Sequence, residues 1–168
     1  MEEKTPILNH QQIMQKVNRI AYQIYEDHYD DKEIIIAGIA NNGFTFAQML
    51  QKKLESISSI QIKMIELHID KKKPIGNEPE IGISEKDLKN KSVILVDDVL
   101  NSGRTMMYGL QCFLKAPLKR LATVVLVNRS HKRFPVNANY VGVSLATTLK
   151  EHIKVDFEKA NNYVAYLQ

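Results

Sequence analysis

Residues 92–108 read SVILVDDVLNSGRTMMY, and this stretch decides the fold. Its apolar run at residues 93–96 is typical of a strand that is buried on both faces of a parallel sheet. Two acidic residues follow, then a short polar turn that contains a glycine, and then apolar residues at helical spacing. In open α/β folds the turn after such a strand lies at the carboxyl edge of the sheet, where ligands bind.

The turn after this strand carries groups that suit a phosphate. Its backbone N–H groups and those of the first helical turn lack partners within the helix, and together with the helix dipole they favour an anion. Gly103 lets the backbone approach a ligand closely, and Ser102 and Thr105 can donate hydroxyl hydrogen bonds. The ionised carboxylates of Asp97 and Asp98 suit vicinal ribose hydroxyls or the shell of a Mg²⁺ ion. Together these groups suit a phosphorylated ribose.

Two other interpretations of the acid pair stay open on the residues alone. The strand could be a buried one in which Asp-Asp precedes a helix cap by coincidence. It could also be the acidic Mg²⁺ strand of a nucleoside triphosphatase. Proteins of that class carry a GxxxxGK[ST] loop, and this sequence contains none. The phosphoribosyl interpretation is therefore favoured.

Length and composition limit the class of protein. A chain of 168 residues, 44% hydrophobic and 25% charged, predicts a single globular domain over residues 1–168. No apolar run approaches the ~18 residues of a membrane span, and the acidic start lacks a signal-peptide core. The single cysteine excludes an internal disulfide and suits a reducing cytoplasm. The net charge of +4 is compatible with phosphate ligands or with RNA and does not decide between them.

Strand and helix patterns alternate along the chain. Apolar residues at helical spacing predict a first helix after Asn9, with Arg19 as a solvated charge on its polar side. Strands are predicted at residues 33–39, 58–69, 93–96, 121–127, 140–143, 153–157 and 162–167, the last two as a closing hairpin or paired strands. Between them, the lysines at residues 71–73 are interpreted as a solvated loop, with a mobile flap over a phosphorylated ligand as the alternative. The alternation predicts an α/β domain with a mainly parallel central sheet flanked by helices.

The stretch quoted first closely resembles the 13-residue phosphoribosyl pyrophosphate (PRPP) motif of type I phosphoribosyltransferases. That motif has four apolar residues, two acids, two apolar residues, a variable residue and then Ser/Thr-Gly-x-Thr, and every position is met. The resemblance implies the type I phosphoribosyltransferase fold, a mainly parallel sheet with a small hood. It also implies an enzyme that transfers ribosyl 5-phosphate from PRPP to a nucleobase, with Mg²⁺ bound and pyrophosphate released.

Within that family the chain resembles the PyrR group, bacterial pyrimidine-operon attenuation proteins that are also uracil phosphoribosyltransferases. The similarity runs nearly end to end, and residues 125–142, VLVNRSHKRFPVNANYVG, point to this group. The resemblance implies uracil as the acceptor, UMP as the product, and a homodimer or a larger homo-oligomer. Two alternatives stay open. The chain could be a PRPP- or nucleotide-sensing, RNA-binding regulator of pyrimidine genes with weak or no catalysis, or a phosphoribosyltransferase for another base.

The resemblance also implies a role for each part of the site. Asp97 and Asp98 would hold the ribose and, directly or through water, the Mg²⁺ ion. The 5′-phosphate loop would consist of Asn101, Ser102, Gly103, Arg104 and Thr105. The pyrophosphate loop, which often needs an unusual, even cis, peptide, would consist of Ala40, Asn41, Asn42 and Gly43. The base or RNA side would include Arg129, His131 and Arg19.

Three departures from the PyrR pattern bear on activity. The pyrophosphate loop lacks the two basic residues of Gly-Ile-Lys-Thr-Arg-Gly, and a charged hydrogen bond is worth ~1.5–3 kcal/mol, so losing one lowers catalysis about tenfold or more. Asn101 stands where purine enzymes carry an acid, and an amide cannot act as a general base. Asn137 and Val143 replace Arg and Lys, which weakens RNA binding because neutralised phosphates dominate affinity. Asn128 and Ser130 replace an Asp and a Gly, which leaves the base open.

Overall fold

The computed structural model describes residues 4–70, 79, 81–148 and 151–168. The lysines predicted to form a solvated loop lie outside these residues. The elements in chain order are β1 Thr5–Leu8, α1 His10–His28, β2 Glu33–Ile39, α2 Asn42–Ile57, β3 Gln61–Leu67, α3 Glu85–Leu88, β4 Ser92–Leu100, α4 Arg104–Phe113, β5 Arg120–Arg129, β6 Tyr140–Leu145, β7 Ile153–Asp156 and β8 Val164–Leu167. Among the described residues, none of the helices combines the length and the hydrophobicity of a membrane-spanning segment.

The central sheet has five strands in the order β3-β2-β4-β5-β6, and every pairing in it is parallel. Its two faces bury alternate side chains of the same strands. In β2, Ile34 and Ile36 pack in one core with α1 and α2, whereas Ile35 and Ile39 pack in a second core with α4. Because both faces are covered, the strand is an unbroken apolar run, as the sequence predicted.

The order of the strands creates a crevice at the carboxyl edge of the sheet. α2 leads from β2 to β3 at one edge, whereas α4 leads from β4 to β5 in the other direction. The two connections therefore diverge between β2 and β4, which are paired in parallel. In open α/β sheets, ligands bind at such a point. Both loops that were predicted to bind anions begin there.

A second, smaller sheet forms the hood. Its order is β1-β8-β7, and both pairings are antiparallel. The hairpin of β7 and β8 confirms the predicted pairing at the end of the chain. Strand β1 was not predicted, because it is only four residues long and contains Pro6. Hood residues Val155 and Ala165 belong to the same core as α1 and α2, so the hood packs onto the central sheet.

The first helix forms as its sequence predicts. The Oδ1 atom of Asn9 accepts a 2.9 Å hydrogen bond from the Gln12 N–H, and Gln12 Oε1 accepts one of 2.9 Å from the Asn9 N–H. This capping box satisfies two N–H groups that would otherwise lack partners. The apolar residues at helical spacing are buried, namely Ile13, Val17, Ile20, Ala21 and Ile24.

One predicted strand begins later than expected. The apolar pattern suggested a strand from residue 58, but β3 begins at Gln61. Ser58 instead ends α2, since its N–H and its hydroxyl donate hydrogen bonds of 2.9 and 2.8 Å to the Leu54 carbonyl. The helix therefore takes the first residues of the segment.

A polar cluster lies at the amino edge of the sheet, opposite the crevice. Oδ2 of Asp31 lies 2.8 Å from Nδ1 of His28 and accepts a 2.8 Å hydrogen bond from the Ser92 hydroxyl. Lys119 binds its other oxygen. Burial alone would raise the pKa of Asp31, but hydrogen bonds from Lys119, His28 and Ser92 outweigh burial and lower the pKa to about 2. The cluster ties the end of α1 to the start of β4.

Candidate active site

The two acids near the end of β4 are held by neighbouring backbone groups. Oδ1 of Asp97 accepts a 2.9 Å hydrogen bond from the Asp98 N–H, and Oδ1 of Asp98 accepts one of 2.8 Å from the Val99 N–H. Asp97 is only 5% exposed, whereas Asp98 is partly exposed. The pair therefore presents one buried and one accessible carboxylate at the crevice.

The first loop runs from β2 into α2. The peptide bond between Ala40 and Asn41 is cis, as the family resemblance implied for this loop. A Cβ atom on Gly43 would lie 2.8 Å from the Val96 carbonyl oxygen and 3.0 Å from Oδ1 of Asp97. Only glycine therefore allows the start of α2 to approach the acid strand this closely.

The side chain of Asn42 connects this loop to the acid pair. Its Nδ2 group donates a 3.0 Å hydrogen bond to Oδ2 of Asp98. The same group donates a 2.8 Å hydrogen bond to the carbonyl oxygen of Val155 in the hood. The first loop, the acid strand and the hood thus meet at one side chain.

The second loop runs from β4 into α4 and packs against the segment that follows β5. Gly103 has a φ of 87°, a left-handed conformation that favours glycine. A Cβ atom there would lie 2.5 Å from Cγ1 of Val136. The Ser102 carbonyl accepts hydrogen bonds of 2.9 and 3.0 Å from the N–H groups of Arg133 and Phe134. The loop therefore rests on the segment that follows β5.

The two helices at the crevice differ from the other two in how they begin. In the described part of the chain, α1 and α3 are capped by the side chains of Asn9 and Ser84. The N-cap residues of α2 and α4, Asn41 and Gly103, make no side-chain cap bond, and at the start of α4 the Ser102 hydroxyl accepts a 3.3 Å hydrogen bond from the Arg104 N–H. Apart from that of Arg104, the N–H groups of their first turns therefore have no side-chain cap, as an anion site requires.

The residues predicted for the base or RNA side mainly contact the chain itself. The Arg129 guanidinium is buried and donates hydrogen bonds of 2.6 Å to the Thr147 hydroxyl and 2.8 Å to the Thr148 carbonyl. Nε2 of His131 lies against the Thr147 carbonyl. Both residues therefore fix the segment after β6, at the same edge of the sheet as the acid pair.

Arg19 was predicted to be a solvated charge, but its side chain also contacts β6. Its guanidinium donates hydrogen bonds of 3.0 Å to the Val141 carbonyl and 2.7 Å to the Gly142 carbonyl. These contacts fasten α1 to β6, although the residue is exposed overall. No local pattern indicates them, because the partners are more than 120 residues away. The structure brings Arg19 to β6 rather than to either loop.

The sequence relatives of the chain point to one family. The phosphoribosyl transferase domain family matches residues 4–159. The chain belongs to the phosphoribosyltransferase family. Proteins named "Bifunctional protein PyrR" from Haemophilus ducreyi and Haemophilus influenzae are 34% and 33% identical to it. These matches cover 90% and 91% of this chain and 89% and 91% of the relatives, so the predicted resemblance to PyrR is confirmed.

Solved phosphoribosyltransferase structures share the fold. The hypoxanthine phosphoribosyltransferase of Trypanosoma cruzi matches with a TM-score of 0.77 at 15% identity, over 96% of this chain and 95% of that chain. A hypoxanthine-guanine phosphoribosyltransferase from Bacillus anthracis matches with a TM-score of 0.76 at 20% identity, over 99% of each chain. The predicted type I phosphoribosyltransferase fold is therefore confirmed.

Two supports of the candidate site were missed by the sequence reasoning. One is residues 133–136, which lie under the second loop, and the other is Val155, whose carbonyl binds Asn42. Pro135 is a turn signal, but it does not say what the turn contacts. Neither support has a local signal, because each depends on parts of the chain that are distant in sequence.

Proposed function

We propose that the protein converts PRPP and uracil into UMP and pyrophosphate, as a phosphoribosyltransferase of the PyrR type. The observation that carries this proposal is the acid pair between two helices whose N-cap residues make no side-chain cap bond. A phosphorylated ribose needs hydrogen-bond acceptors for its hydroxyls and donors for its phosphate, and the crevice offers both. The family and the PyrR relatives agree with this chemistry.

In the proposed reaction the protein mainly positions its substrates. Asp97 and Asp98 accept hydrogen bonds from the ribose hydroxyls. Residues 101–105 at the start of α4 bind the 5′-phosphate. In the loop of residues 40–43, the Ala40 N–H donates a 3.0 Å hydrogen bond to the Leu67 carbonyl, and the backbone N–H groups of residues 41–43 bind the pyrophosphate as it leaves. With an oxocarbenium-like transition state at C1, fixed donors of this kind stabilise the charge that develops on the leaving group.

Mg²⁺ is the metal proposed to accompany PRPP. The described residues contain no group of three or more His, Cys, Asp or Glu side chains that could hold a metal, so they form no closed metal site. Proteins usually bind Mg²⁺ through one or two carboxylates together with substrate phosphates. Asp97 and Asp98 would hold it, directly or through water. Bound there, it would neutralise charge on the pyrophosphate.

Uracil is proposed as the base for two reasons. Asn101 is exposed at the start of the second loop, and its amide cannot act as a general base. The relatives are PyrR proteins, and residues 125–142 carry that resemblance. Arg129 and His131 would shape the base side indirectly by holding Thr147 and Thr148 in place.

A product assay tests the proposal. Purified protein is incubated with PRPP, Mg²⁺ and, separately, uracil, cytosine, hypoxanthine and guanine, and the nucleotides are separated by chromatography. UMP formation from uracil above all other bases is the expected result. Turnover with another base would keep the enzyme but reject uracil. No turnover with any base would reject the enzymatic function.

An RNA-binding regulator is the second candidate, favoured by the relatives' printed name, "Bifunctional protein PyrR", and by a pyrophosphate loop without cations. Against it, Arg19 and His131 contact carbonyls of the chain itself. The test is the salt-dependent affinity for pyrimidine-operon leader RNA, with and without UMP. A regulator should prefer this RNA over a random hairpin and respond to UMP, whereas equal affinities would dismiss it.

A homo-oligomer in the cytoplasm completes the proposal. The family resemblance supports a dimer or a larger assembly, and the single, buried Cys112 suits a reducing compartment. Sedimentation velocity over a range of protein concentrations would give the oligomeric state. A single species at the mass of one chain would reject the assembly.

A further inference from the structure

Asn42 joins three parts of the molecule through one amide group. It is the first residue of α2, and its Nδ2 group lies 3.0 Å from Oδ2 of Asp98 on β4. The same group lies 2.8 Å from the carbonyl oxygen of Val155 on β7, 113 residues further along the chain. Both partners can only accept hydrogen bonds, so Asn42 must be the donor in each.

These two bonds use up the donors of the side chain. An asparagine amide has two N–H bonds, and here one points at Asp98 and the other at Val155. What remains is the Oδ1 atom of Asn42, which is an acceptor. An acceptor is repelled by the oxygens of a pyrophosphate. The side chain is therefore poorly suited to bind the pyrophosphate, although its loop is proposed to do so.

The bond from Asn42 instead fixes the Asp98 carboxylate. Oδ1 of Asp98 accepts a 2.8 Å hydrogen bond from the Val99 N–H, and Oδ2 accepts the bond from Asn42. With one donor on each oxygen, the plane of the carboxylate is set. Each oxygen keeps a further lone pair that can accept from a ribose hydroxyl. Asp98 is partly exposed, so a ligand can reach it.

We infer that Asn42 is a positioning residue, which couples the hood to the ribose-binding carboxylate of Asp98. Through the Val155 carbonyl, strand β7 fixes the Asn42 amide, and the amide fixes Asp98. The inference rests on the proposed function, because it takes Asp98 to be a ribose ligand. If Asn42 has this role, the hood affects the binding of the ribose by Asp98, whereas the backbone of the first loop binds the pyrophosphate.

Two ligands that each carry half of PRPP test this role. Ribose 5-phosphate and inorganic pyrophosphate are titrated, in separate experiments, into wild-type protein and Asn42→Ala, and binding is followed by NMR. Because a hydrogen bond to a charged group is at stake, ribose 5-phosphate affinity should fall about tenfold. Pyrophosphate affinity should stay within about twofold. Loss of pyrophosphate affinity alone, or equal losses for both ligands, would overturn the positioning role.

Asn42→Asp is the matched variant, since it keeps the size of the side chain and removes both N–H donors. It should lose ribose 5-phosphate affinity at least as much as Asn42→Ala, because it also places a second negative charge beside Asp98. Asn42→Gln keeps both donors on a longer side chain and should recover part of the affinity. Wild-type affinity in Asn42→Asp would overturn the role. Thermal unfolding checks that each variant is folded.

A double-mutant cycle separates action through Asp98 from direct binding. If Asn42 acts through Asp98, then Asn42→Ala should change ribose 5-phosphate affinity less than about twofold when Asp98→Asn is already present. A tenfold loss in both backgrounds would reject the role. Wild-type protein that binds neither ligand would instead reject the proposed function, so the two failures are distinguishable.

Discussion

Asp97 and Asp98 are chain neighbours with different surroundings. Asp97 is 5% exposed and lies beside Gly43 at the start of α2, whereas Asp98 is partly exposed and is held by Asn42. Side chains of successive strand residues point to opposite faces, which explains how adjacent acids meet different elements. The two carboxylates therefore contribute unequally to the crevice, although the sequence motif treats them as a pair.

Replacing both acids should abolish PRPP binding. In Asp97→Asn with Asp98→Asn, each amide keeps an oxygen that can accept the backbone hydrogen bonds, so the fold should persist. Two charge-assisted hydrogen bonds at ~1.5–3 kcal/mol each predict a loss of PRPP affinity of about a hundredfold or more. Calorimetric titration with PRPP and Mg²⁺ measures the loss. Asp30→Asn, at the opposite edge of the sheet, is the control, and full retention of PRPP affinity by the double variant would contradict the site.

Gly103→Ala should damage the phosphate loop. The added Cβ would sit at a φ of 87° and 2.5 Å from Val136, so the loop must shift. The left-handed conformation alone costs about 1–2 kcal/mol for a residue with a side chain. Gly82→Ala is the matched control, since Gly82 has a φ of 62° and nothing within 4 Å of the added atom. Both variants should lose stability in urea unfolding, but only Gly103→Ala should also weaken PRPP binding. Equal PRPP affinities would show that the loop does not contact the ligand.

At the scale of elements, the helices differ in whether their N-cap side chain caps the first turn. α1 begins with a capping box, whereas the N-cap residues of α2 and α4, at the crevice, make no side-chain cap bond. A side-chain cap would occupy the N–H groups that an anion needs. The helices at the candidate site therefore lack the stability that a cap from the N-cap side chain would provide, and their N–H groups stay available to an anion.

Removing the cap of α1 should lower stability and leave PRPP binding unchanged. Asn9→Ala removes the acceptor for the Gln12 N–H and should cost about 1 kcal/mol. For a protein of this size that corresponds to a fall in Tm of about 2–4 °C. Asn41→Ala is the matched control for stability, because Asn41 holds the same position in α2 without a cap bond. Its Tm should stay close to that of the wild type, and an equal fall in both variants would argue against the capping box.

The elements that the sequence predicted well are those with strong local patterns. The buried strands follow from unbroken apolar runs, and α1 follows from its spacing and from Asn9. Strand β1 has only four residues and gains its partner from the far end of the chain, so no local pattern marks it. Ser58 shows a second limit, since the competition between a helix end and a strand start is decided by hydrogen bonds.

The candidate site divides in the same way. The acids and both loops follow from a continuous motif and from the end of a predicted strand. The contacts of Asn42 with Asp98 and Val155, and of Gly103 with Val136, depend on how distant segments pack. Sequence patterns therefore locate the binding groups, whereas the supports that hold them require the structure.

At the scale of the whole molecule, the polar cluster around Asp31 links elements at the amino edge of the sheet, opposite the candidate site. Its side chain is 7% exposed and binds groups from α1, from β4 and from the segment before β5. The pKa of Asp31 falls from 3.8 to about 2 because hydrogen bonds from Lys119, His28 and Ser92 outweigh the opposing effect of burial. The Asp31 cluster and the candidate site thus lie at opposite edges of the sheet.

Stability should depend on pH through this carboxylate. Because the folded pKa is below the unfolded one, Asp31 stabilises the fold fully above about pH 4, and this stabilisation is lost as the pH falls toward 2. A lowering of the pKa to about 2 corresponds to about 2 kcal/mol. Urea unfolding of wild type and Asp31→Asn at pH 6, 4 and 3 measures it. The difference in unfolding free energy between wild type and Asp31→Asn should shrink as the pH falls. Asp30→Asn, which changes the exposed neighbour of Asp31, is the control. A difference in unfolding free energy between wild type and Asp31→Asn that stays constant with pH would contradict the cluster's role.

The hood has a consequence for how the protein is made. Its sheet places β1 beside β8, with Thr5 opposite Leu167, so β1 is synthesised well before the strand with which it pairs. The central sheet, in contrast, can assemble from β2 through β6 in order of synthesis. A nascent chain would therefore acquire its two anion loops before the strand that anchors Asn42. The candidate site would be complete only when translation reaches β7 and β8.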